Sequence, residues 1–115
     1  MSVTAAIADY DSVRQWARGL KEQWGDEPEM AQRHAVLQRF ADFAGKDPDT
    51  MIAECTRDVD SGKRIRIKAR REYSERIAAF QATVEGSARQ QSKAANFVRS
   101  FFIDNGIFMQ AGLGE

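Results

Sequence analysis

The segment from Ser87 to Gly106 constrains the fold most, because it reads as one long helix whose two sides have different uses. Ser87 is a good N-cap, and Asn105-Gly106 is typical of a helix C-terminus. At 100° per residue the apolar side chains share one arc and the polar side chains share the opposite arc. The apolar arc comprises Ala94, Ala95, Val98, Phe101 and Phe102, and the polar arc comprises Arg89, Ser92, Lys93, Asn96 and Ser100. Other helices must therefore cover the aromatic side.

Apolar residues at spacings of three and four predict two helices in the first part of the chain. The first is expected to begin with Ser12 as its N-cap and to end at Gly25. Its buried stripe comprises Val13, Trp16, Leu20 and Trp24. The second is expected to begin with Asp26 as its cap, to carry Pro28 near its first turn and to run to Ala44. Its apolar positions include Met30, Leu37, Phe40 and Ala41, and its histidine, His34, is expected to be partly buried.

A third, shorter helix is predicted to start at Asp47-Pro48 and to include Cys55 as a small buried hydrophobe. A fourth helix is expected from about Ile65 to Val84, and the segment 58–63 before it reads as a loop. Residues 64–67 alternate as a strand does, but no other segment alternates in the same way. With 115 residues, 43% of them hydrophobic, the chain can form one ordinary domain. The predicted fold class is all-α, a compact bundle of four to five helices.

Residue counts exclude most forms of site chemistry. The chain has one histidine and one cysteine, so it can form neither a two-histidine metal site nor an internal disulfide. It contains no phosphate-binding loop, dinucleotide-binding turn or nucleophile elbow. No apolar run reaches the ~18 residues of a membrane span. We therefore expect no metal, no cofactor, no small-molecule substrate and no membrane partner for an intracellular domain that is not a self-contained enzyme.

The charges divide the chain into an acidic and a basic half. Residues 1–60 carry 7 Lys/Arg against 12 Asp/Glu, a net charge of −5, and residues 61–115 carry 10 against 5, a net charge of +5. A polyanion would be attracted to the second half, although a solvated surface of mixed charge explains the same counts. The densest basic stretch is 63–71, and its candidate phosphate contacts are Arg64, Arg66, Lys68 and Arg71.

The polar arc of the last helix contains no Asp or Glu, and such a set of side chains suits phosphate oxygens and base edges. Arg89, Ser92, Lys93, Asn96 and Ser100 are therefore candidate DNA-contacting residues. A shift of 61 positions aligns Lys93 with Gln32 and Ser100 with Arg39 on the outer side of the second helix. These two residues are added as candidates.

Two stretches resemble a known family. Residues 87–102, with Asn105-Gly106-Ile107, resemble the last helix of the N-terminal core-binding domain of tyrosine recombinases, the phage-integrase-type site-specific recombinases. Residues 37–48 are similar to that family's first conserved helix and the loop after it. The resemblance covers about residues 10–108. Gln90 and Ala94 depart from it, since the family commonly has a threonine and a tyrosine there.

The resemblance implies a SAM-like helical bundle that forms half of a C-shaped clamp around double-stranded DNA. Residues 1–108 would be this core-binding domain, and 109–115 would begin the linker to a C-terminal catalytic domain. The family's His-x-x-Arg motif and tyrosine nucleophile belong to that second domain, and here His34 is followed three residues later by Leu37. We therefore expect no catalytic residue in this chain. The implied partners are double-stranded DNA and other recombinase protomers, on DNA in the cytoplasm.

Two alternatives remain open. The acidic first half favours a helical protein–protein interaction module with a basic partner. A stand-alone regulator with a helix-turn-helix is disfavoured, because Gly25-Asp26-Glu27 follows a first helix that is too long for that motif.

Overall fold

The computed structural model describes residues 6–25, 29–59 and 62–109, and in these parts the chain folds as the predicted helical bundle. A 3₁₀ turn at Ile7–Asp9 precedes the first helix. The helices are α1 (Asp11–Trp24), α2 (Met30–Ala44), α3 (Pro48–Cys55), α4 (Ile67–Thr83) and α5 (Ala88–Asp104). A short antiparallel hairpin of β1 (Thr56–Val59) and β2 (Gly62–Ile65) connects α3 to α4.

Helix α5 lies at the centre of the bundle, and two adjacent phenylalanines join it to the other long helices. Phe101 packs edge-on against Trp16 of α1, with 5.6 Å between ring centroids. Phe102 contacts Phe40 of α2 at 6.4 Å and Tyr73 of α4 at 5.5 Å. All five rings are almost fully buried. The predicted apolar arc of α5 therefore forms the core, as its spacing indicated.

The start of α1 differs from the prediction, because Tyr10 rather than Ser12 occupies the N-cap position. Ser12 lies buried in the first turn, where its backbone N–H and its hydroxyl both donate to Oδ1 of Asp49, at 2.9 and 2.6 Å. The first amides of a helix have no partner within that helix. Here a carboxylate from α3 supplies one, a contact between distant positions that local spacing does not reveal.

The fourth helix is present within two residues of its predicted start and end, but the prediction of a loop at 58–63 is wrong, because strands occupy most of it. Residues 56–59 pair with residues 62–65, and α4 begins at Ile67. The alternating segment therefore has a partner strand, but that partner has no apolar alternation. Arg57 and Arg64 face each other across the hairpin and both are exposed. Because the described side chains of β1 are polar, no alternation of apolar residues marks that strand in the sequence.

The predicted end of the first helix, start of the second helix and start of the linker differ from the structure or lie outside the described residues. Trp24, predicted as core, is 62% exposed. It continues the apolar stripe of α1, but it is the last residue of that helix. Asp26 and Pro28, predicted to start the second helix, lie outside the described residues, and α2 begins at Met30. Met109 is buried in the core, so the helical body includes the first residue of the predicted linker, and 110–115 lie outside the described residues. Cys55 is buried and His34 partly buried, as predicted.

Truncation of Phe101 to alanine is expected to destabilise the fold by about 3–5 kcal/mol, because it leaves a cavity where α1 and α5 meet. Ile103→Ala on the same helix is the matched control, since Ile103 is 44% exposed. Urea denaturation of both variants measures the difference. A loss for Phe101→Ala no larger than for Ile103→Ala would contradict the central position of the ring.

Candidate nucleic-acid interface

Four of the predicted contact residues lie together on the solvent side of α5. Arg89, Ser92, Lys93 and Asn96 are all exposed, and we call them the α5 strip. The first turn of the helix is fixed by a capping box, in which the Ser87 hydroxyl accepts from the Gln90 backbone N–H and the Gln90 side chain accepts from the Ser87 N–H. Gln90 thus stabilises the start of this helix.

Ser100, the fifth residue predicted for this face, makes a hydrogen bond within the bundle. It is half-buried, and its Oγ accepts a hydrogen bond from Nε1 of the buried Trp16 at 3.0 Å. A buried indole N–H needs such an acceptor. Ser100 therefore belongs to the contact between α1 and α5 as well as to the surface.

A groove of about 670 Å³ runs beside the α5 strip. Its other wall is the C-terminal half of α1, with Leu20, Gln23 and Trp24, and Arg33 of α2 also lines it. The lining also includes Phe97, Ser100, Ile103 and Asp104 together with the four residues of the α5 strip. The groove thus combines cations, amides and exposed apolar side chains, and its wall includes a carboxylate.

Lys93 is exposed but paired. Its Nζ lies 2.8 Å from Oε2 of Glu29, and both side chains are about half exposed. Hydrogen bonding to Lys93 holds the pKa of Glu29 below its usual value. Glu29 occupies the N-cap position of α2 with φ of 57°, a left-handed conformation that is uncommon for a residue other than glycine. The polar arc of α5 lacks carboxylates, as the sequence indicated, but α2 brings one to it.

Asp104 places a second carboxylate at the end of the groove. Burial raises its pKa, while the charge of Arg33 acts in the opposite direction. A Cβ at Gly19 would lie 2.6 Å from Cγ of Asp104, so glycine permits α1 to approach α5 here. The guanidinium of Arg33 lies over the ring of Phe97 at 4.5 Å, and burial lowers the pKa of Arg33. The groove is therefore of mixed charge, not purely basic.

The other predicted contacts do not join the α5 strip. Gln32 and Arg39 are exposed on α2, and Arg39 lines a separate groove with Phe43. The basic cluster, which comprises Arg64, Arg66, Lys68 and Arg71, is exposed on β2 and the start of α4. Helices α4 and α5 are antiparallel, since Tyr73 contacts Phe102 and Gln81 contacts Ser92. At 1.5 Å per residue, Lys68 is about 20 Å along α4 from the level of Ser92.

Sequence reasoning missed Trp24, Gln23, Arg33 and Ile103 as groove residues. Trp24 was predicted as core because it continues the stripe of Trp16 and Leu20. Its place immediately before Gly25, which has φ of 75° and ends α1, was the available signal that few neighbours would cover it. Arg33 and Ile103 carried no signal in the sequence, since their position depends on how α1, α2 and α5 pack.

A scan against models of protein families and searches of curated proteins and of solved structures find nothing that matches this chain. Across residues 6–25, 29–59 and 62–109, no helix combines the length and hydrophobicity that crossing a membrane requires. In the same ranges, no three side chains of the metal-ligating types lie together.

Replacing Ser100 by alanine is expected to lower the stability by about 1–3 kcal/mol, because the buried indole N–H of Trp16 loses its acceptor. Ser92→Ala is the matched control, since the exposed Ser92 hydroxyl makes only a long contact with Gln81, at 3.4 Å. Thermal unfolding of the two variants compares them. Equal melting temperatures would show that the bond between Trp16 and Ser100 contributes nothing.

Proposed function

We propose that this chain binds double-stranded DNA through the α5 strip, as the core-binding domain of a tyrosine recombinase. The observation that carries the proposal is the α5 strip itself. Two long cations, an amide and a hydroxyl are exposed on successive turns of one helix, with no acidic residue among them. Such side chains bind phosphate oxygens and base edges.

The dimensions of the α5 strip suit a duplex. From Arg89 to Asn96 the helix rises about 10 Å, which is about three steps of a DNA strand. Ser92 and Asn96 are short, so they allow the helix backbone to approach a groove, while Arg89 and Lys93 reach outward to the phosphates. The major groove of B-DNA, about 12 Å wide, admits a helix of this kind.

Binding through Lys93 requires an exchange of partners. A phosphate oxygen takes the position that Oε2 of Glu29 occupies at 2.8 Å from the Lys93 ammonium. The pair lies at the surface, so the exchange needs a rotation of two side chains and no change in the core. The carboxylate of Glu29 then remains near the DNA and opposes binding, while the contacts of cations with phosphates make the affinity dependent on salt.

The basic cluster at the opposite end of the bundle supplies a second set of contacts. Arg64, Arg66, Lys68 and Arg71 are exposed there and would bind phosphates on a neighbouring stretch of the duplex. Two separated contacts along one duplex agree with the clamp that the resemblance implies. In that arrangement other recombinase protomers bind beside this domain, the chemistry belongs to a separate domain, and the protein acts on DNA in the cytoplasm.

A protein–protein interaction module is the second candidate function, and the surface around Phe43 favours it. The side chain of Phe43 is 45% exposed and lines a groove with Arg39, Thr83 and Glu85. Exposed aromatic side chains beside charged ones are typical of protein interfaces. This surface lies apart from the α5 strip, so the two functions do not exclude each other.

Lys93→Ala is expected to weaken binding to a fluorescently labelled 30-base-pair duplex, by about 1–3 kcal/mol if the ammonium contacts a base. Lys21→Ala is the matched control, because Lys21 is exposed on α1 and does not line the groove. Fluorescence anisotropy at low salt measures both affinities. The melting temperature of Lys93→Ala is expected to remain unchanged, since its partner is a surface carboxylate.

Salt dependence provides the second measurement of the same proposal. The binding constant is expected to fall steeply with salt, and Lys93→Ala is expected to reduce the slope of log K against log salt by about one. Absence of duplex binding at low salt would overturn the proposal. Equal losses in Lys93→Ala and Lys21→Ala would show that binding is electrostatic but not directed by α5.

A further inference from the structure

The exposed indole of Trp24 is the feature of the groove that duplex binding leaves unexplained. Trp16, eight residues earlier on α1, is completely buried and has a hydrogen-bond partner, whereas Trp24 is 62% exposed. A tryptophan side chain that a ligand covers contributes a large share of the binding free energy. An uncovered indole in a groove therefore indicates a place where a flat ligand can stack.

The surroundings of the indole indicate the chemistry of that ligand. Arg89 and Lys93 line the same groove and provide cations, and Gln23 and Asn96 provide amides that can both donate and accept. A nucleotide needs these groups together: a π-face for its base, cations for its phosphate and amides for the edge of the base. A purely apolar peptide anchor would make no use of the amides and cations of the groove.

The base must be unpaired. In a duplex the two faces of each base are covered by the neighbouring base pairs, so an indole cannot reach them. A base in a single strand, at a frayed end or flipped out of the helix has a face available. We infer that Trp24 stacks on an unpaired base of DNA, while Arg89 and Lys93 bind phosphates of the same strand. This inference rests on the proposed function for its partner class and adds a preference for locally unpaired DNA.

Tryptophan emission tests the stacking directly, because Trp24 is accessible and Trp16 is not. A 12-nucleotide oligothymidylate is expected to quench the emission of the wild-type chain as it binds. An abasic oligonucleotide of the same length and charge is expected to bind more weakly and to leave the emission unchanged. In Trp24→Phe, which retains only the buried Trp16, the quenching is expected to disappear.

Affinity provides the second readout. Trp24→Ala is expected to weaken binding of the oligothymidylate about 5- to 150-fold, the range found when one stacking ring is removed. Its affinity for the 30-base-pair duplex is expected to stay within about twofold, since the outer side of α5 is unchanged. Phe108→Ala is the matched control, because Phe108 is an exposed aromatic residue that does not line the groove. It is expected to bind both nucleic acids as the wild type does.

The outcomes separate this inference from the proposed function. If the duplex binds through Lys93 but the oligothymidylate neither quenches Trp24 nor depends on it, the stacking inference is wrong and duplex binding stands. Equal quenching by the abasic strand would also overturn it, because phosphates alone would then account for the signal. If neither nucleic acid binds at low salt, both proposals fail. A blue shift of Trp24 emission with protein concentration and a doubled mass by light scattering would show that a second copy covers the indole instead.

Discussion

The contact of Phe101 and Phe102 with the rings of three other helices determines how α5 is oriented. With Phe101 against Trp16 and Phe102 between Phe40 and Tyr73, α5 cannot rotate about its axis without losing buried aromatic surface. Nine residues at 100° each place Lys93 half a turn from Phe102. The exposure of the α5 strip is therefore a consequence of core packing, and any function of the strip depends on these rings.

The groove beside α5 depends on how closely α1 packs against that helix. Gly19 lets α1 lie close to Asp104, and the hydrogen bond from Trp16 to Ser100 joins the two helices one turn away. These contacts bring the end of α1, and with it Trp24, beside the α5 strip. A larger side chain at Gly19 would displace the side chain of Asp104 at the end of the groove.

The sequence predicted the all-α fold and the two sides of α5, because both follow from spacing within one helix and from caps such as Ser87. It did not predict features that depend on residues distant in sequence. Ser12 donates to Asp49 of α3, β1 pairs with β2 without an apolar alternation of its own, and Trp24 continues a core stripe beyond the helices that cover it. For the candidate site, the position of each residue of the α5 strip was predictable. The ion pair of Lys93 with Glu29 was not, since the two residues are 64 positions apart.

The charges of the groove explain how a chain with no net charge could still bind a polyanion. The acidic first half supplies Glu29 and the basic second half supplies Lys93, so their ion pair joins the two halves of the chain. A phosphate that binds Lys93 replaces an existing ionic contact rather than filling a vacant one. The binding free energy gained at Lys93 is then smaller than at an unpaired lysine, and the affinity depends on what else the ligand contacts. A base stacked on Trp24 would supply that additional contact, whereas a free phosphate would not. On this argument the Glu29 carboxylate would disfavour a free phosphate more than a nucleic acid, because a nucleic acid makes further contacts with the α5 strip or with Trp24.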